Sequence, residues 1–341
     1  MMRYSIFVSL VYLSSFIYTV KVMLSPVYFL VPALLFFSFR SHKVKVSYVC
    51  LLILIMIFLL GRGLTYPYLV NTFLGGLCLI VFVSSKVEMY VYVKAIKIFN
   101  IALVGLFTLE AYLRYSILAG EGVEKYFELK YNSFMFADSN TTGFAIFSVL
   151  AVELYLIKER LRNTKIVLVV LYCLLLLTLS KTIIFFSTIM YFYYFRPKYI
   201  KYLIAFAVIA LIQNIEYIEY VFMDASVNVR GEMFLHFFNY LDRASVVQLL
   251  FGAGWQDFRY SLYADEPHSV IISIVGVGGI TSLLIVLCLF IYINISSKRF
   301  CKFYSSTLVF ASFVYLPYYG LIFIYVTYAV LHLLERDNSY A

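Results

Sequence analysis

Four basic residues in this 341-residue chain stand where an apolar protein has little ordinary use for them. Lys181 interrupts the apolar run Ile166–Phe195, within Ser180-Lys181-Thr182. Arg230 and Arg243 lie in a polar stretch, Glu216–Pro267, which also carries the turn Gly252-Ala253-Gly254-Trp255 and ends at Pro267-His268. A cation beside a low-dielectric region attracts anions strongly. Guanidinium groups hold phosphate through charge-assisted hydrogen bonds. A histidine opening a helix can donate to phosphate or accept a proton from a hydroxyl near neutral pH, and the helix start itself favours anions. The chemistry these residue types permit is binding of a phosphate-bearing group and activation of a hydroxyl. Each has a plainer use as well. Lys181 can snorkel to water, the arginines can pair with neighbouring acids, His268 can be incidental, and Trp255, the only tryptophan, can anchor an interface.

The elements that must position these residues follow from composition. The chain is 64% hydrophobic with a mean hydropathy of +0.92, far above a soluble domain. Its apolar runs recur at the length a bilayer requires. This predicts an all-α polytopic membrane protein, a single integral membrane domain over 1–341 with about twelve transmembrane helices, or ten or eleven where closely joined runs merge. Those spans run Tyr4–Val20, Val22–Phe39, Val46–Leu60, Tyr68–Ser84, Ala95–Leu118 and Gly143–Ile157, then Ile166–Leu179, Thr182–Phe195, Tyr199–Ile215, His268–Ile291, Phe303–Leu316 and Tyr318–Leu334. The first is read as a retained helix, since no small-residue cleavage site follows it.

The net charge of +9 is a topology signal. Most of the 27 Lys and Arg fall in alternate loops: Arg40 to Lys45, Lys86 to Lys97, Lys158 to Lys165, Arg196 to Lys201 and Lys298 to Lys302. The positive-inside rule puts those loops and both termini in the cytoplasm, and no nucleic-acid partner is needed. The 216–267 loop, between helices 9 and 10, is then periplasmic, with the shorter Ala119–Thr142 loop beside it. Within the long loop, Val229–Leu250 reads as one amphipathic helix with Met233, Phe234, Phe237, Phe238, Leu241, Leu249 and Leu250 on its apolar stripe. Such a helix can lie in the interface and present its arginines to a headgroup or lipid-linked substrate, or simply lid the bundle. The two glycines of the following turn permit positive φ, close approach or exposed amide donors.

Other charges read as structural. Glu110 and Arg114 have the spacing of an i,i+4 ion pair, and Glu153 lies close to Lys158. Gly276, Gly278 and Gly279 read as small residues for close helix packing. Cys50, Cys78, Cys173, Cys288 and Cys301 have no metal-ligand spacing and read as small core residues, so no disulfide or zinc is expected. No internal repeat is visible.

In order and context these residues resemble the O-antigen ligase and polymerase superfamily of bacterial membrane glycosyltransferases. Thr178-Leu179-Ser180-Lys181 is similar to a Thr-x-Ser-Arg turn between two short spans. Arg230 matches an arginine-led periplasmic helix, Gly252-Ala253-Gly254 a Gly-x-Gly turn, and His268-Ser269 with Gly276–Gly279 a histidine-led span containing glycines. Asn140, in Phe136-Ala137-Asp138-Ser139-Asn140, matches an asparagine-containing turn, and Arg243 and Gly254 have the R-x10-G spacing of polymerase loops. Specific matches run from about Phe136 to Gly279. Two positions depart from the pattern: Lys181 replaces arginine, keeping charge but losing bidentate phosphate recognition, and Ile274-Val275 replaces an acid.

The resemblance implies an inverting, metal-independent transfer of a glycan from an undecaprenyl-diphosphate-linked oligosaccharide, with no cofactor, at the periplasmic side of the bacterial inner membrane. Catalytic roles fall to Lys181, Arg230 and His268. Substrate binding falls to Arg243, Gly252, Gly254, Trp255 and Asn140. His268 would activate the acceptor hydroxyl or hold the phosphate. Membrane lipids, a chain-length regulator and a flippase are the implied partners. A polymerase, adding the chain to a new lipid-linked repeat, is preferred over a ligase that adds it to lipid A-core. A flippase is the rival of another class.

Overall fold

A computed structural model describes residues 9–13, 16, 88–117, 128–129, 132–136, 138–163, 165–195, 225–254, 258, 269–295, 297–314 and 321–337. Among these residues the structure is all-helical, without strands. The helices are α1 (Met89–Ile117), α2 (Ser139–Lys158), α3 (Ile166–Leu177), α4 (Lys181–Phe195), α5 (Ala225–Arg243), α6 (Val246–Phe251), α7 (Val270–Ile295), α8 (Arg299–Val314) and α9 (Leu321–Asp337). Two of them, α1 and α2, are long and apolar enough to cross a membrane, and Ile166–Leu177 and Ile274–Leu284 are shorter apolar helices. The second to fourth sequence-predicted spans and Tyr199–Ile215 lie outside the described residues, as does most of the first.

The core is built around α2. This helix is apolar on every side, as a helix surrounded by other helices must be, and 94% of its most apolar window is buried. Asp138 starts it: its backbone is extended (φ −156°, ψ 178°) and its side chain accepts from Thr141 N at 2.7 Å, supplying one donor's missing partner. It ends where Arg160 adopts a left-handed backbone (φ 58°), letting Arg162 N reach back to Leu156 O at 3.0 Å. Helices α1, α3, α4 and α9 surround it. Val11, Tyr12, Leu13 and Phe16 pack there too, with Tyr12 bonded to Asn100 at 3.2 Å and stacked on Phe323. The outward face of α1 carries exposed Ile98, Ile101, Leu106 and Leu109.

Polar contacts gather at two opposite ends of the bundle. At one end Glu153, fully buried, meets Arg162 at 3.1 Å and Asn100 at 2.7 Å. Arg162 also donates to Lys97 O, and Lys158 lies over the Tyr194 ring. Glu153 therefore pairs with Arg162 rather than with the expected Lys158, because the left-handed Arg160 folds the loop back under α2. There too Glu335 of α9 accepts from Phe300 N (2.8 Å) and Cys301 N (3.1 Å), satisfying amides at the start of α8. Cys301 is buried in this contact, whereas Cys173 and Cys288 are exposed, so the core role expected of all three holds for one. The other end holds Glu110, Arg114, Asn140 and Lys181.

Candidate functional site

The Lys181 turn is built without glycine. Helix α3 ends at Thr178, whose N–H donates to Leu175 O (3.0 Å) and whose hydroxyl donates to the same carbonyl (2.7 Å). Leu179 then takes a left-handed backbone (φ 59°), a conformation that costs a non-glycine residue about 1–2 kcal/mol. That reversal lets Ser180 N reach Thr178 Oγ1 (3.3 Å) and places Ser180 Oγ to donate to Asn140 Oδ1 (2.8 Å). Ser180 O accepts from Ile184 N at 2.9 Å, so α4 starts at once with Lys181 exposed in its first turn. Gly143 permits the approach of α2: a Cβ there would lie 3.1 Å from Ser180 Cβ. Sequence expectation and structure agree on the joint between two short helices. The structure adds the bond joining Asn140 to the residue before Lys181, which orients the turn from α2.

Glu110 and Arg114 do not form the expected ion pair. Glu110 is buried and its carboxylate accepts from Ser133 Oγ (2.6 Å), Phe134 N (3.1 Å) and Met135 N (2.8 Å). Three donors converge on it because the 132–136 segment folds over the end of α1 with its amides pointing inward, and this set outcompetes a single guanidinium one turn away. Arg114, 2% exposed, donates Nη2 to Leu177 O, the carbonyl end of α3, while its Cζ lies 5.4 Å from the centre of the Tyr115 ring. Its Nε and Nη1 are buried without a hydrogen-bond partner. A buried charge left uncompensated costs several kcal/mol.

Among the described residues of the long loop, the expected single helix is two helices. Helix α5 begins at Ala225 and stops at Arg243; Ser245 then caps α6 in a capping box, accepting from Gln248 N (3.3 Å) while Gln248 Oε1 accepts from Ser245 N (2.9 Å). The Ser-x-x-Gln spacing is the sequence signal for this break. On α5 the buried face is Met233, Phe234, Phe237 and Tyr240, packed on Phe258. Phe238 on α5 and Leu250 on α6, both expected on the apolar stripe, are 58% and 41% exposed.

The Gly-Ala-Gly turn seats this lid in a broken helix. Inside α7, Gly279 leaves helical geometry (φ 70°, ψ −174°) and interrupts the hydrogen-bond ladder. Ala253 N donates to Gly276 O (2.9 Å), Gly254 N to Val277 O (3.2 Å), and Thr281 Oγ1 to Leu250 O (2.7 Å). Gly252 (φ 80°) sits so close that a Cβ would meet Val277 O at 2.1 Å, and one on Gly276 would enter the Phe258 ring at 2.1 Å. Of the uses open to the turn glycines, close backbone approach is the one found. The Gly252 amide itself is held by Gln248 O at 2.7 Å, so neither glycine presents a free amide to a ligand. Gly276 and Gly279 serve loop docking, not the packing of whole helices against one another.

The predicted site residues thus form two groups. Asn140 and Lys181 meet across Ser180; Gly252 and Gly254 meet α7. Arg243 is exposed in the last turn of α5, where a cation suits the helix dipole. Arg230 has its backbone in α5, while Trp255 and His268 lie outside the described residues. Among the described residues, no group of His, Cys, Asp and Glu could hold a metal. The residue overlooked in the sequence is Arg114, whose spacing from Glu110 disguised it. No known protein family matches the chain, and no curated protein matches it.

Proposed function

We propose that this chain is a polytopic inner-membrane glycosyltransferase that polymerises a surface glycan from undecaprenyl-diphosphate-linked repeat units. The observation behind this proposal is the Lys181 turn: an exposed cation at the joint of two apolar helices, oriented by Ser180 and Asn140. The polar loop is docked on the helix that follows His268, a seat from which its arginines would reach a ligand held at Lys181. The segregation of Lys97, Lys158, Arg162 and Arg299 to the opposite end supports a cytoplasmic face there and a periplasmic face at Lys181.

In the reaction, the acceptor hydroxyl attacks the anomeric carbon of the donor glycan while the bond from that carbon to the diphosphate oxygen breaks. The electron pair leaves with the diphosphate. Lys181, Arg230 and Arg243 neutralise the leaving group, and His268 takes the hydroxyl proton or holds the phosphate. A diphosphate already leaves readily, so the protein's work is to hold two lipid-linked substrates in register.

The test is purified protein with a lipid-linked repeat unit and no ion gradient. A ladder of longer lipid-linked glycans is expected, falling about hundredfold in rate with Lys181→Ala, the scale of losing one charge-stabilising group. Binding without transfer would favour a flippase. A deletion strain that accumulates lipid-linked polymer over unmodified core would make the protein a ligase.

A further inference from the structure

Two arginines are buried in the described bundle, and they are treated oppositely. Arg162 faces Glu153 at 3.1 Å and donates to Lys97 O. Arg114 has one carbonyl acceptor, and its Nε and Nη1 have none. The acid placed to neutralise it, Glu110, is committed to Ser133, Phe134 and Met135. Arginine keeps its charge wherever it is buried, so the N–H groups of Arg114 are donors waiting for an anion. The acceptor it does have, Leu177 O, is four residues before Lys181 in the same α3–α4 joint. The carbonyl end of α3 offsets only part of a charge. One end of the bundle therefore holds a buried guanidinium and an exposed ammonium on either side of a single turn, with acidic Glu110 turned to three other donors.

We propose that Arg114 is a phosphate-binding residue, and that with Lys181 it takes the diphosphate of a polyprenyl-linked donor. This rests on the transferase reading of the same site and extends it with a residue from α1. A diphosphate carries several acceptor oxygens and more than one negative charge, which suits two cations whose donors point from different helices. The prenyl chain of such a donor would run down the apolar surface of α1 beside Leu106 and Leu109, both exposed.

The experiment measures binding, not turnover. Full-length protein in nanodiscs is titrated with farnesyl diphosphate, farnesyl monophosphate and inorganic pyrophosphate, and its ligand-free thermal unfolding is recorded. Arg114→Gln retains a donor for Leu177 O but removes the charge. It is expected to weaken farnesyl diphosphate binding about tenfold or more, as loss of charge-assisted bonds does, and to leave the ligand-free Tm unchanged or higher. Arg114→Lys should fall between. Unaltered affinity in Arg114→Gln overturns the proposal. So does a ligand-free protein that is destabilised or fails to fold, because that outcome makes the side chain a structural clamp. Pyrophosphate binding as tightly as farnesyl diphosphate overturns the lipid-linked assignment. Arg114-dependent binding without any glycan ladder would leave this site standing and remove the polymerase, so the two readings fail separately.

Discussion

Leu179 carries the strain of the Lys181 turn. A left-handed backbone at a leucine is held only because Thr178, Ser180 and Asn140 close hydrogen bonds around it, and such strain often marks places where geometry matters more than stability. Leu179→Gly should stabilise the ligand-free protein by about 1 kcal/mol, seen as a higher Tm in thermal unfolding, while loosening the placement of Lys181. No gain in Tm would mean the leucine side chain returns as much in packing as its backbone loses. Lys181 was legible in the sequence because a charge inside an apolar run is visible without a structure. Arg114 was not. Its fate depends on the Ser133 hydroxyl and the Phe134 and Met135 amides claiming Glu110, a tertiary competition that the four-residue spacing along α1 cannot express.

Among the elements, the lid and α7 share one backbone seam. Gly276→Ala would drive a methyl into the Phe258 ring, an overpacking cost of about 1–3 kcal/mol. The expected result is roughly tenfold faster tryptic cleavage at exposed Arg243, since cleavage within a docked helix requires local opening. Gly231→Ala provides the control: nothing lies within 4 Å of a Cβ there, so cleavage should be unchanged or slower, as alanine favours the helix. Unchanged cleavage in Gly276→Ala would show that Phe258 does not hold the lid. The amphipathic helix was readable from its apolar spacing, and its break from the Ser-x-x-Gln box. The interruption of α7 was not, because three glycines in an apolar span look the same whether they admit a neighbouring helix or a loop. Only the carbonyl partners of Gly276 and Val277 tell the two apart.

The molecule as a whole has two unlike ends. At one, buried charges are paired within the chain: Glu153 with Arg162, and Glu335 with the amides of α8. At the other, among the described residues, Arg114 Nε and Nη1 are buried without a hydrogen-bond partner. Lys97, Lys158, Arg162 and Arg299 lie in the basic loops that the positive-inside rule would put on one side of a membrane. Orientation is tested on intact cells with a membrane-impermeant maleimide. Lys181→Cys should label from outside, whereas Asn163→Cys, at an exposed position in the α2–α3 loop, should label only after permeabilisation. The reverse pattern would invert the molecule and remove the periplasmic site.

The seam between the lid and α7 also bears on how the chain is made. Residues 253 and 254 leave the ribosome well before 276 and 277, so the amides that complete the helix are present before the carbonyls that need them. An unsatisfied carbonyl in apolar surroundings is costly, so a helix that breaks at Gly279 would fold at a disadvantage if the preceding loop were absent. The polar segment is in this sense part of the folding of the apolar one. A deletion of the 225–254 segment would therefore be read first in how α7 folds and only afterwards in what the finished protein binds.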